Sequence, residues 1–262
     1  MKSLLSKIKL FASAAGFGAA ALFFSCGTAD KGLIVPLYFV NSTQWEQVAN
    51  AEVGEYVILN PYNGPGDEQN PLYTNYIGEL IDKGKIPIGY IYTKWGSRPL
   101  EEVEADIDKW LDFYPDIKGF FIDETATGSD KLDYYKTLVD YIKSKGDYYI
   151  VLNPGTQPLD NGYFDIADTV VVYEGTYDNK PQGVCQVNPS KSAVIVYNAT
   201  EEEMRTVLTT EDCKYYYVTD RTLPNPFDSL PSYFDQEVEL LKKINFVLDQ
   251  QNGAERKGGR TY

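Results

Sequence analysis

The fold is decided by the stretch IKGFFIDETATGSDKLDYYKTLVDYIKSKGDYYIVLN, residues 117–153. Both of its ends are apolar runs rich in Val, Ile, Tyr and Phe, the composition of strands that are buried on both faces. Ser129 or Asp130 is expected to cap a helix over 131–145, and Gly146 to end it. The stripe of this helix consists of Leu132, Tyr135, Leu138, Val139 and Ile142. The stretch therefore predicts two parallel strands joined by a crossover helix.

The same alternation of strand and helix continues on both sides of this unit. Strands recur at intervals of roughly 20 to 30 residues, as expected for strand–helix units. Further helices are expected from Pro99 to about residue 113, after the capping box of Thr200 and Glu203, and over about 232–249. Residues 154–168 and 175–192 are rich in Gly, Pro, Asn and Asp, so full helices are not expected there. The eight predicted strands are residues 33–39, 56–60, 86–93, 117–123, 148–153, 169–174, 193–198 and 215–220.

Eight such units predict one α/β domain over residues 33–249, a (β/α)₈ barrel of the TIM type with some short or missing helices. The alternative is an open, doubly wound parallel sheet. No G-x-G-x-x-G or Walker sequence follows a strand, so a nucleotide-binding sheet of that kind would lack its phosphate-binding loop. The polar residues from Gln250 predict a frayed tail over 250–262.

The N-terminal segment is typical of a bacterial secretory signal. Lys2, Lys7 and Lys9 precede an apolar run over residues 10–24, which is short of the ~20 residues that span a bilayer. Ser25-Cys26 resembles the end of a lipobox, which predicts removal of residues 1–25, lipidation of Cys26 and a short tether over 26–32. We expect a lipid-anchored protein of the cell envelope, at the outer membrane or the cell surface. The alternative is cleavage at another small residue, without a lipid.

The composition excludes several classes of chemistry. Histidine is absent from all 262 residues, which rules out Ser-His-Asp and Cys-His catalysis and histidine-ligated zinc. The net charge of −14 argues against nucleic acid as a partner. No dense acidic repeat indicates a metal site, and no cofactor is expected. Past the signal, Cys185 and Cys213 either form a disulfide in an oxidising compartment or remain two buried thiols.

Carboxylates follow two of the predicted strands. In a (β/α)₈ barrel, functional side chains lie at the C-terminal strand ends, where Asp123, Asn153 and Glu174 would meet. Glycoside hydrolysis requires two carboxyl groups, one to protonate the leaving oxygen and one to attack or to activate water. Burial or proximity can raise the pKa of one of them, so the pair works without histidine. The structural alternatives are a cap or solvated loop for Asp123 and an ordinary turn for Asn153.

Other residues at the same strand ends complete the expected cleft. Aromatic rings there can stack on sugars, and amides can bond to hydroxyl or acetamido groups. For the aromatic members, packing at the barrel rim is the structural alternative. The candidate substrate-binding residues are Tyr38, Asn60, Tyr92, Trp95, Arg98, Glu124, Asn198 and Asp220.

Six motifs resemble the spherulin-4 family, also called spherulation-specific family four. They are LNPYNGPG (59–66), IPIGYIYTKWGSRP (86–99), IKGFFIDE (117–124), VLNPG (151–155), VVYEG (171–175) and NPFDSLPSYFDQEV (225–238). The resemblance implies a (β/α)₈-barrel glycoside hydrolase related to enzymes that cleave α-1,4-linked galactosamine and N-acetylgalactosamine polymers of microbial biofilms. The sequence departs from the expected pattern at Trp95, where Tyr is expected, and at Tyr62, where a small polar residue is expected.

The catalytic trio of that family consists of an Asp after strand four, an Asn after strand five and a Glu after strand six. Carried over, it falls on Asp123 as nucleophile or electrostatic stabiliser, Asn153 as the residue that positions the sugar, and Glu174 as general acid/base. We expect a monomeric, endo-acting hydrolase of an amino-sugar polysaccharide such as galactosaminogalactan. The alternative is a non-catalytic carbohydrate-binding lipoprotein on the same scaffold, which would bind such a polymer without cleaving it.

Overall fold

The computed structural model describes residues 30–157 and 159–258. Its strands form one closed parallel barrel in chain order, in which β8 pairs with β1. The eight predicted strands are confirmed, and the open-sheet alternative is excluded. The strands are β1 (Gly32–Leu37), β2 (Glu55–Leu59), β3 (Ile86–Tyr92), β4 (Gly119–Asp123), β5 (Tyr149–Leu152), β6 (Thr169–Thr176), β7 (Ser192–Tyr197) and β8 (Tyr215–Val218).

Helices follow most of the strands, as expected for a barrel of this type. Between β6 and β7, two short 3₁₀ turns replace the helix, so the expectation of an incomplete unit there is confirmed. The predicted capping box is present at Thr200 and Glu203. Over the described residues, no helix combines the length and the hydropathy needed to cross a membrane. The α-helices are α1 (Ser42–Asn50), α2 (Pro71–Asp82), α3 (Leu100–Phe113), α4 (Leu132–Lys145), α5 (Gly162–Ile166), α6 (Glu201–Thr210) and α7 (Phe234–Gly258).

The start of α4 differs from the prediction. A 3₁₀ turn over Ser129–Lys131 precedes it, and the residue at the N-cap is Lys131, which makes no side-chain capping bond. The prediction that Ser129 or Asp130 caps this helix is therefore wrong, because both residues are used in the turn. Gly146 ends the helix as expected.

Both chain ends carry predictions that the structure tests only in part. The signal segment 1–25 and Cys26 lie outside the described residues, as do residues 259–262. The polar residues from Gln250 predicted a frayed tail, whereas α7 continues to Gly258. Extending an existing helix costs much less than starting one, so a polar sequence is able to prolong it.

Aromatic side chains fill the two ends of the barrel interior. At the N-terminal end of the strands, the ring of Tyr56 packs against Tyr149 and Tyr215, with centroid distances of 5.6 and 4.7 Å. Towards the C-terminal end, the rings of Tyr90 and Phe121 stack at 6.2 Å. The barrel interior is therefore a packed core, and the tyrosine rings close it at the N-terminal end of the strands.

A disulfide holds the irregular segment after β6 onto the barrel. Cys185 in the second 3₁₀ turn is bonded to Cys213 just before β8, with the Cα atoms 5.2 Å apart. Of the two alternatives for these cysteines, the disulfide is the one formed. Beside it, Lys180 pairs with Glu211, and both side chains are almost completely buried.

Candidate active site

Three polar side chains meet at the C-terminal mouth of the barrel. Asp123 is the last residue of β4, Asn153 directly follows β5, and Glu174 lies near the end of β6. The Nδ2 of Asn153 donates to Oδ1 of Asp123 at 2.8 Å and to Oε2 of Glu174 at 2.6 Å. One amide group after β5 thus bridges two carboxyl groups from the strands on either side, β4 and β6, and the predicted trio is brought together.

A β-bulge in β6 turns Glu174 towards the barrel interior. Against β7, Val171 pairs with Ala193 and Glu174 with Ile195, and the register shifts between them. Ala193 and Ile195 are two residues apart, so they face the same side of the sheet. Val171 and Glu174 are three apart, and in a regular strand they would face opposite sides. The extra residue in β6 therefore places the carboxyl group of Glu174 beside Asn153.

The shared amide also limits the distance between the two carboxyl groups. Both oxygens bond to one nitrogen, at 2.8 and 2.6 Å, so they are at most 5.4 Å apart. Carboxyl groups about 5–5.5 Å apart are typical of retaining glycosidases, whereas inverting enzymes need about 6.5–9.5 Å to admit a water molecule. The bridged oxygens of Asp123 and Glu174 are no farther apart than the shorter of these separations.

Burial in the barrel mouth changes the acidity of Glu174. Desolvation raises the pKa of its carboxyl group to about 7, the charge of Asp123 adds to the rise, and the bond from Asn153 opposes it. A carboxyl group with a pKa near 7 exchanges its proton in neutral solution, as a general acid/base must. The side chains that act on its pKa are Asp123 and Asn153, and neither is a cation.

Asp123 has more partners than Glu174. Desolvation raises its pKa too, but hydrogen bonds from Tyr90, from its neighbour's backbone and from Asn153 oppose that rise. The hydroxyl of Tyr90 donates to Oδ2 at 2.7 Å. Asp123 is therefore the better stabilised anion of the pair. Different environments for two carboxyl groups are what separate their catalytic roles.

The sequence interpretation missed Tyr90, which lies between the expected site and the core. It is 6 % exposed, and Tyr38 packs edge-on against its ring at 5.8 Å. The signal was present in the alternation of β3, since Tyr90 and Tyr92 face the same side and Tyr92 pairs in register with Asp123. Tyr38, predicted as a substrate-binding residue, thus contacts Tyr90, which in turn donates a hydrogen bond to Asp123.

Several other predicted site residues already have partners within the protein. The Oδ1 of Asn60 accepts from the backbone N–H of Gly64 at 2.9 Å, which stabilises the loop after β2. The Oδ1 of Asp220 accepts from the N–H of Ser232 at 3.1 Å. Asn198 has a left-handed backbone with a φ of 55°, and its side chain is exposed. Their roles in binding a substrate remain predictions.

Trp95 and Glu124 lie in a strained part of the mouth. Trp95 has a φ of 53° and Glu124 a φ of 50°, and Lys94 beside the tryptophan is left-handed too. The N–H of Trp95 donates to the carbonyl of Glu124 at 2.7 Å, which joins the two loops. The indole remains 61 % exposed. A non-glycine residue in this conformation costs of order 1 kcal/mol, a strain found mostly at functional sites.

Arg98 and Tyr92 form one unit at the rim. The guanidinium carbon lies 4.4 Å from the centroid of the Tyr92 ring, and the guanidinium donates to Asp106 at 2.7 Å. It also donates to the Tyr92 carbonyl at 3.2 Å. Arg98 is therefore fixed in position by α3 and by the aromatic ring that it covers.

The described residues contain no group of three or more Asp, Glu or Cys side chains that could hold a metal ion. The groups that meet at the mouth are two carboxyl groups, an amide and the hydroxyl of Tyr90.

Comparison with known proteins identifies the family. The model of spherulation-specific family 4 matches residues 32–241. The chain belongs to this family. All six motifs of spherulation-specific family 4 quoted above lie within the matched range.

One curated member of spherulation-specific family 4 is similar over most of the chain. Spherulin-4 of Physarum polycephalum is 32 % identical over 235 residues, which are 81 % of this chain and 70 % of that protein.

Solved structures confirm the fold. Aspergillus clavatus Sph3, crystallised in complex with GalNAc, superposes with a TM-score of 0.69 at 23 % identity, over 81 % of this chain and 97 % of Sph3. Pseudomonas stutzeri endoglucanase Cel5A superposes with a TM-score of 0.51 at 13 % identity, over 83 % of this chain and 94 % of that chain. At these identities the likeness establishes the barrel.

Proposed function

We propose that this protein is a glycoside hydrolase that cleaves within an α-1,4-linked galactosamine- and N-acetylgalactosamine-containing polysaccharide. The observation that carries the proposal is the pair Asp123 and Glu174, bridged by one amide and unequal in acidity. The GalNAc bound to Sph3, a protein of the same fold, supports an amino sugar as the ligand. The matching family supports the carry-over of the trio to these positions.

The two carboxyl groups take different parts in the reaction. Below a pH of about 7, Glu174 is protonated and donates its proton to the leaving glycosidic oxygen. Asp123, held as an anion by Tyr90, attacks the anomeric carbon as the leaving bond breaks. Glu174, now ionised, then accepts a proton from water. The resulting hydroxide displaces Asp123 from the sugar and regenerates both groups.

The short carboxyl separation favours retention of configuration at the anomeric carbon. In a variant of this route, the acetamido oxygen of the substrate attacks in place of Asp123, which then orients it. The two routes differ on fully deacetylated galactosamine, because that sugar has no acetamido group. Cleavage of a deacetylated oligomer with an initial α-anomeric product would support direct attack by Asp123.

The deciding experiment measures reducing ends released from galactosaminogalactan by purified protein. Asp123→Asn and Glu174→Gln are each expected to lower kcat about 10³-fold, the usual size of such losses. Asp140→Asn, an exposed carboxylate on α4, serves as the matched control and should retain full activity. Binding without cleavage by the wild type, over a panel of amino-sugar polymers, would overturn the proposal and favour a binding protein. Full activity of either site variant would remove that residue from the mechanism.

Anchoring by a lipid on Cys26 is part of the same proposal. β1 begins at Gly32, and parallel strands all enter at the end of the barrel opposite to the mouth. A short tether would hold this closed end towards the membrane, with the mouth of Asp123 and Glu174 facing away from it. Replacing Cys26 by Ala should move the protein from the membrane fraction to the soluble fraction, whereas Cys185→Ala should leave it in the membrane fraction.

A further inference from the structure

A second groove lies beside the mouth, outside the three catalytic groups. It encloses about 530 Å³ between the loop that follows β2 and the central part of α3. Its walls combine aromatic and charged side chains, mainly Tyr62, Asp67, Tyr92, Arg98, Asp106 and Lys109. Aromatic faces with polar groups around them are the composition of a site for a hydroxyl-rich ligand.

The loop that forms the outer wall presents the ring of Tyr62 in a fixed position. A side chain on Gly66 would approach this ring to 2.6 Å, so the backbone of Gly66 packs directly under it. Asn63 and Gly64 are left-handed, with φ of 55° and 139°. Hydrogen bonds then close the loop, and yet the side chain of Tyr62 remains 63 % exposed. An exposed ring on an ordered loop loses little entropy on binding.

The opposite wall is equally fixed. The side chain of Arg98 is only 10 % exposed, and its ion pair with Asp106 has an N–O distance of 2.7 Å. Lys109 of α3 pairs with Asp67 of the loop at 3.2 Å, which joins the two walls. Contacts within the chain therefore hold the wall of Arg98 in place and connect it, through α3, to the loop of Tyr62.

The inner end of the groove reaches the catalytic pair. Tyr92 lines the groove and pairs in register with Asp123 on the neighbouring strand. A polymer bound across the mouth would thus continue past Tyr92 towards Tyr62. We propose that this groove is a distal subsite that binds further pyranose units of the same polysaccharide chain, with Tyr62 as the stacking platform. This inference rests on the proposed function and adds the direction of the bound chain.

The test compares Tyr62→Ala with Phe246→Ala, a control of matched exposure on α7 at 64 %. Both residues are exposed, so neither variant should unfold. The substrates are oligomers of α-1,4-linked galactosamine of increasing length, beginning with the shortest that the wild type cleaves. Tyr62→Ala should lower kcat/KM about fivefold to tenfold on long oligomers, through KM, which is the size of one aromatic stacking contact. On the shortest oligomer it should equal the wild type, as should Phe246→Ala on all lengths.

The outcomes separate this proposal from the previous one. Equal kcat/KM of Tyr62→Ala and wild type on long oligomers would overturn the subsite and leave the hydrolase intact. Equal losses on short and long oligomers would also overturn it, because the effect would not be distal. If the wild type binds a polymer without cleaving it, the dissociation constant for that polymer replaces kcat/KM in the comparison. Tyr62→Ala should then bind more weakly than the wild type, and Phe246→Ala should bind equally well; equal binding by Tyr62→Ala would overturn the subsite. A wild type that neither binds nor cleaves any amino-sugar polymer overturns both proposals.

Discussion

Two clusters of this protein bury carboxyl groups in opposite ways. Beside the disulfide, Glu211 is 2 % exposed and pairs with the ammonium group of Lys180, while the N–H of Gly183 donates to the same oxygen at 3.1 Å. At the mouth, Glu174 receives one amide bond from Asn153 and has Asp123 as its charged neighbour. The first cluster neutralises a buried charge, and the second puts two acids together. A buried ion pair of the first kind is typical of a structural site, whereas a buried carboxyl group with a raised pKa is typical of a candidate functional site.

The largest expected effect on stability concerns the buried ion pair of Lys180 and Glu211. Replacing Glu211 by Gln leaves the ammonium group of Lys180 buried without its counter-ion, which should lower the free energy of unfolding by about 3–5 kcal/mol. Urea denaturation at pH 7 measures this loss. Glu201→Gln, which breaks the exposed pair with Arg205, should cost at most about 0.5 kcal/mol. Equal losses in the two variants would show that the buried cluster has no special role.

Replacing Glu174 by Gln should have the opposite effect and raise the free energy of unfolding at alkaline pH. Its pKa in the folded protein, about 7, lies above the ordinary value of 4.5, so folding favours the protonated form. The contribution of this group to the free energy of unfolding is therefore fully present below pH 4.5. It is lost as the pH rises through 7, and the loss is about 3 kcal/mol. Glu174→Gln cannot ionise and should be more stable than the wild type at pH 8 and similar at pH 4.5. Thermal unfolding at both pH values checks this, and a less stable variant at pH 8 would contradict the assigned pKa.

A smaller effect should distinguish the two acids of the mouth. Tyr90→Phe removes the hydroxyl that donates to Asp123, so the pKa of Asp123 should rise. The acidic limb of the pH profile of kcat/KM should then move to higher pH by up to about one unit, while the alkaline limb, set by Glu174, stays in place. Tyr163→Phe, which removes a buried hydroxyl bonded to the Gly128 carbonyl, is the control. A shift of both limbs in either variant would argue against separate roles.

Much of the fold could be predicted because it depends on local patterns. The strands are continuous apolar runs, and the helix over Leu132–Lys145 has a clear stripe. The predicted N-cap failed at Ser129 and Asp130, because a 3₁₀ turn and a capped helix start have similar local sequences. The trio of Asp123, Asn153 and Glu174 was found through strand-end position and through the resemblance. Tyr90 was missed because a tyrosine inside a strand has the same local pattern whether it packs or donates a hydrogen bond.

By itself, the sequence determined the residue types that could act and the strands that carry them. The absence of histidine left carboxyl groups for acid–base chemistry, and the order of the strands assigned Asp123 and Glu174 to the same end of a barrel. Only the tertiary structure decided that Glu174 faces the interior, because the bulge against β7 depends on pairing with a distant strand. Its raised pKa and its link to Asp123 through Asn153 likewise arise from burial and long-range contact, which no local pattern encodes.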